Sequence, residues 1–97
     1  MARVELSEAA VEDLDRLVWT HSLPADTRER LARSLRHLER FPLLGPELEG
    51  RWSGLRFVLG PWRWMLVVYA YLETDDLVAV VTIQDGRSSG APRSAVH

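Results

Sequence analysis

Apolar positions fall into two kinds of pattern along this chain, helical stripes in the first half and near-continuous blocks in the second. Ala10, Leu14 and Leu17, flanked by Val11 and Val18, recur every three or four residues, the signature of one buried helix face. Ahead of them, residues 3–6 alternate polar and apolar, placing Val4 and Leu6 on one side of a short strand. Ser7 is an N-cap in the right place, with Glu8 favourable in the first turn. This helix must end before Pro24. A second helix then starts either with Pro24 in its first turn or at the Asp26…Glu29 capping-box pattern. It buries Leu31, Leu35 and Leu38 and stops at Phe41-Pro42.

Residues 43–54, with Gly45-Pro46 near their start, read as a loop bearing Glu47, Glu49, Arg51 and Trp52. Three strands follow, at about 55–59, 62–72 and 77–83. A two-residue Gly60-Pro61 turn sets Leu59 opposite Trp62, and a turn at 73–76 sets Leu72 opposite Leu77. Leu55, Phe57, Leu59, Trp62, Trp64, Leu66, Val68, Ala70, Ala79, Val81 and Ile83 then share one face, entirely apolar and expected to lie against the helices. The opposite face carries Arg56, Val58, Arg63, Met65, Val67, Tyr69, Tyr71, Thr82 and Gln84. The pattern predicts an α+β domain with β-α-α-β-β-β order, a helical hairpin packed on one side of a mostly antiparallel sheet. Residues 1–88 form that domain, and 89–97 read as a flexible C-terminal tail rich in Ser, Gly and Pro.

Composition narrows the function classes. The chain has 97 residues, no cysteine and a formal net charge of -2, which excludes disulfides and thiolate metal sites and argues against indiscriminate nucleic-acid binding. His21, His37 and His97 lack metal-ligand spacing, so no metal or other cofactor is expected. No apolar run is long enough to cross a membrane and no signal-peptide pattern opens the chain, so the cytoplasm is the expected location. All twelve basic side chains are arginine. In the phasing above, Arg56 and Arg63 emerge together on the open face, where planar guanidinium groups suit phosphate or carboxylate. Arg56 has a second use open to it, a bridge to Glu47 or Glu49. Val58, Met65, Val67, Tyr69 and Tyr71 would form an apolar patch around the arginines, larger than a monomer usually leaves wet and suited to a partner protein.

Val-Glu-Leu-Ser at residues 4–7, the hairpin ending Arg-Phe-Pro at 40–42, Gly-Leu-Arg at 54–56, Trp-Arg-Trp at 62–64 with Val-Val-Tyr at 67–69, and Asp-Gly-Arg at 85–87 occur in an order that resembles the RelE/ParE superfamily of bacterial toxins. The resemblance spans about residues 2–88. It implies a toxin of a type II toxin–antitoxin pair, neutralised by a cognate antitoxin from the same operon. In the ribosome-dependent mRNA endoribonuclease branch, arginines matching Arg63 and Arg87 contact the scissile phosphate, and Arg56 falls at another recurrently basic position. RNA cleavage also needs a base and an acid. Glu47 or Glu49 is available as the base, and His97 or Tyr69 as the acid. The branch that inhibits DNA gyrase uses the same scaffold without known RNA chemistry. A third reading is a degenerate member retaining only antitoxin binding and operon autoregulation.

Overall fold

The computed structural model describes residues 1–88 and 91–92. A short strand β1 (Arg3–Leu6) leads through Ser7 into helix α1 (Glu8–Thr20). Helices α2 (Thr27–Ser34) and α3 (His37–Arg40) follow, then strands β2 (Arg56–Leu59), β3 (Met65–Leu72) and β4 (Leu77–Asp85). The strands form one sheet in the order β1-β4-β3-β2, with β1 parallel to β4 and the other pairs antiparallel. This is the expected α+β architecture.

Ser7 caps α1 as expected, its Oγ accepting from the Ala10 N–H at 3.0 Å. The same hydroxyl donates to the Val81 carbonyl, tying the start of α1 to β4. At its other end α1 stops because Ser22 adopts a left-handed conformation (φ 51°), and the Leu23 N–H returns to the Val18 carbonyl at 3.0 Å. The second expected helix is divided. Ser34 Oγ donates to the Leu31 carbonyl, and the Leu38 and Glu39 N–H groups reach back only three residues, so the helix tightens between Ser34 and His37. No capping box forms at Asp26, whose carboxylate instead accepts from Arg30 Nε.

The sheet faces are the principal correction. Leu59 lies opposite Leu66, not Trp62, because residues 60–64 form a wider turn closed by the Gly60 N–H on the Met65 carbonyl. That displacement by four residues keeps Phe57, Leu59, Leu66, Ala70 and Ala79 on one face but turns it away from the helices, whereas Trp62 and Trp64, in the turn, pack against the core as expected. Met65, Val67, Tyr69, Val78 and Val80 pack beneath Ala10, Leu14, Leu31, Leu35 and Leu38, with Val58 and Tyr71 at the margin. The expected open patch of Val58, Met65, Val67, Tyr69 and Tyr71 is therefore core, and Met65, Val67 and Tyr69 are fully buried. Phe57, Leu59, Leu66, Ala70, Leu72 and Ala79 occupy the other face. Both faces are apolar, so alternation alone did not say which one the helices cover. A bulge between Val68 and Tyr69 also places Val81 out of step, so Val81 is exposed while Ile83 returns to the core.

Candidate functional site

Arg56 shows why charge misled the phasing. It sits at the start of β2 opposite Tyr69, on the helix side of the sheet but beneath the 43–47 loop. Its guanidinium donates to the Gly45 carbonyl at 2.8 Å, the Leu43 carbonyl at 3.4 Å and Glu47 Oε1 at 3.1 Å. Tyr69 finishes the cluster, its buried hydroxyl accepting from the Gly45 N–H at 2.9 Å. Burial pushes the Tyr69 phenol up, against the opposing pull of the Gly45 N–H and the Arg56 charge. The second use of Arg56, bridging Glu47, is the one observed. Arg56 does not share an anion site with Arg63, and Tyr69 is sealed from solvent.

Arg63 lies in the turn before β3, exposed, and makes no ion pair with another described residue. The Gly86 N–H donates to the Trp64 carbonyl at 2.6 Å, and Arg63 and Arg87 each adjoin one member of that bonded pair. The structure thus brings Arg63 and Arg87 to one end of the sheet and leaves Arg56 and Glu47 elsewhere. Glu49 precedes the short 3-10 turn Gly50–Trp52, in the loop that leads into β2. His97 lies outside the described residues. Of the expected 89–97 tail only Ala91 and Pro92 are described, and Pro92 is buried.

Around Arg87 the chain assembles a group that sequence reasoning missed. Asp85 accepts from Arg87 Nε at 3.0 Å and Nη2 at 2.9 Å, and the Arg87 backbone N–H adds a third bond at 2.9 Å. His21, at the end of α1, places Nε2 3.1 Å from the same carboxylate. The hydrogen bond from Arg87 holds the Asp85 carboxyl well below the usual range, with His21 contributing in the same direction. The His21 ring stacks on Trp64 (centroids 4.4 Å apart, planes 14° apart), and the Arg87 guanidinium lies 5.2 Å from that indole. Trp62 continues the stack at 6.3 Å, with Arg30 of α2 beyond it at 6.0 Å.

The placement follows from lengths. Helix α1 starts where β1 ends against Val80, then runs beside the remaining half of β4. Asp13 in its middle accepts from the Ile83 N–H and the Thr82 hydroxyl. Thirteen helical residues rise about 20 Å, enough to bring His21 level with Asp85. The signal was therefore present, but reading it required the parallel β1–β4 pairing. Among the described residues no cluster of three metal-ligating groups occurs, and no helix is long and apolar enough to cross a membrane.

A chain of the RelBE2 toxin–antitoxin complex from Mycobacterium tuberculosis superposes with a TM-score of 0.65 at 19% identity, over 87% of this chain and 96% of that one. The isolated E. coli RelE toxin gives 0.66 at 16% identity, over 93% and 89%. A chain of the intact E. coli RelBE complex gives 0.64 at 14% identity, over 91% and 100%. No protein-family model matches the sequence, and no curated protein matches it. The chain has a RelE-type fold.

Proposed function

We propose that this chain is the toxin of a toxin–antitoxin pair and that it acts as a ribosome-dependent mRNA endoribonuclease. The observation that carries this reading is the placement of Arg63 and Arg87 at the same end of a RelE-type sheet, next in sequence to the hydrogen-bonded Trp64 and Gly86. Guanidinium groups there can receive a backbone phosphate and carry the charge that builds on it during cleavage, while indoles suit unstacked bases. Arg87 keeps donors to spare beyond the two side-chain bonds it gives Asp85.

The antitoxin would cover the sheet face that the helices leave open. Leu59 and Leu72 are 47% and 43% exposed there, and Phe57, Leu66 and Ala70 are half-buried between them. Two of the neighbouring structures are toxin–antitoxin complexes, which supports a partner of that kind.

A second reading, inhibition of DNA gyrase without RNA chemistry, draws on the low basicity of the chain and the Asp85 carboxylate already neutralising Arg87. Purified protein added to a translation reaction separates the two. Message cut on the ribosome, with cutting lost in Arg63→Ala and Arg87→Ala, is the expected result. Intact message with impaired DNA supercoiling would favour the second reading. Neither effect, with antitoxin binding retained, would leave operon autoregulation as the role.

A further inference from the structure

Of the expected acid and base residues, Glu47 is held at Arg56 and Tyr69 is sealed in the core. The structure supplies another. We propose that His21 is the proton donor to the leaving oxygen at this site, oriented by Asp85, a reading that rests on the ribonuclease function above.

Histidine is the side chain whose ordinary titration lies nearest neutrality. His21 turns Nε2 to Asp85 Oδ2 at 3.1 Å, and that same oxygen accepts from Arg87 Nη2 at 2.9 Å. Imidazole and guanidinium are therefore neighbours across one carboxylate oxygen, with Nε2 on the Arg87 side of the ring and Nδ1 on the Thr20 side. The carboxylate accepts from Nε2 and so fixes a proton there, the arrangement by which Asp–His pairs set tautomer and orientation. Stacking on Trp64 fixes the ring plane. Nδ1 lies 2.9 Å from the hydroxyl of Thr20, an exposed side chain whose place a substrate oxygen can take.

In the step assigned to it, the 2′-oxygen of the RNA attacks the adjacent phosphorus and its proton passes to water. The bond from phosphorus to the 5′-oxygen breaks, and that oxygen takes the proton from Nδ1. The products are a 2′,3′-cyclic phosphate and a 5′-hydroxyl, and the imidazole regains its proton from solvent. Asp85 acts as a positioning residue.

Single-turnover cleavage of a synthetic mRNA bound to ribosomes tests this. The cut site carries either the ordinary 5′-oxygen or a bridging 5′-sulfur, which leaves as a thiolate without needing a proton. For the oxygen substrate, His21→Gln should slow cleavage by about 10²–10⁴-fold, the usual worth of a general acid. For the sulfur substrate it should cut near the wild-type rate. Asp85→Asn should show a smaller loss with the same rescue, whereas Arg87→Ala should be slow on both. His21→Phe keeps a ring on Trp64 and serves if the glutamine variant folds poorly. Equal losses on both substrates would make His21 merely structural, and no loss would make it a bystander; either overturns the inference and leaves the ribonuclease reading standing. A wild-type protein that cuts neither RNA overturns that reading, and this inference falls with it.

Discussion

Gly45→Ala should be among the most damaging single-methyl additions in the chain. An added Cβ would overlap the Phe57 carbonyl oxygen, lie 2.8 Å from the Phe57 carbonyl carbon and 3.1 Å from Tyr69 Cε1. The first two are backbone atoms of β2, which is paired along its length with β3 and cannot yield as a side-chain tip would. Relief means moving the 43–47 loop outward. That motion stretches the Gly45 N–H bond to the Tyr69 hydroxyl, the Arg56 bond to the Gly45 carbonyl, and the 3.3 Å bond from the Phe57 N–H to the Pro46 carbonyl. Overpacking costs about 1–3 kcal/mol, and leaving the buried Tyr69 hydroxyl without its partner adds about 1–3 kcal/mol. A loss of about 3–5 kcal/mol is expected, a large part of the ~5–15 kcal/mol that holds a small domain together. For a domain of this size the midpoint should fall by on the order of 15 °C or more. Urea titration followed by tryptophan fluorescence measures it, with Gly50→Ala as comparison. Gly50 has a positive φ of 67° but nothing within 4 Å of an added Cβ, so its cost is backbone strain alone, about 1–2 kcal/mol. If Gly45→Ala proves no worse than Gly50→Ala, the close approach of loop and strand is not a constraint and the reasoning fails.

Three further outcomes follow from the same geometry. Val67→Asp should cost about 3–5 kcal/mol by placing an unpaired charge under the helices, whereas Leu66→Asp, one residue away on the other face, should cost about 1 kcal/mol; denaturant unfolding of the two reads the strand phasing directly. Arg56→Ala should lower stability by about 1–2 kcal/mol through its lost loop bonds while leaving RNA affinity at the Trp64 end unchanged, as a filter-binding titration would show. Because Asp85 is depressed in the folded state, its contribution is complete above the ordinary carboxylate pKa and fades as the pH falls below about 4. Exposure of its partner Arg87 holds this contribution to about 1 kcal/mol, and it vanishes only below the depressed folded pKa, so Asp85→Asn should unfold at a lower urea concentration than wild type at pH 7, with the gap narrower at pH 3.

Element order, the N-cap at Ser7 and the end of α1 could be read from the chain because each depends on local chemistry: a hydroxyl before an apolar stripe, a proline after it. The sheet faces could not, since Leu66 and Val67 are equally apolar and only the tertiary arrangement chooses between them. Arg56 seemed to mark solvent, yet it lies at a strand end where carbonyls of a neighbouring loop receive its donors. Likewise Arg63 is on a turn, where strand alternation assigns no face. His21 and Asp85 are 64 residues apart, and nothing local connects them. Their meeting comes from the parallel pairing of β1 with β4, which fixes where α1 begins and so where it ends.

The central claim is that RNA binds at the sheet end built from Trp64, Arg63 and Arg87. The four tryptophans report on it individually, since Trp62 and Trp64 lie at that end, Trp52 sits in the 3-10 turn before β2, and Trp19 is 85% exposed on α1. Titrating the full chain with a short RNA blocked against cleavage by a 2′-deoxy sugar, and following the indole N–H resonances, should move the Trp62 and Trp64 signals while those of Trp19 and Trp52 stay in place. Movement of Trp52 with Trp64 unchanged would put the nucleic acid on the Arg51 and Arg56 side, and would contradict the account.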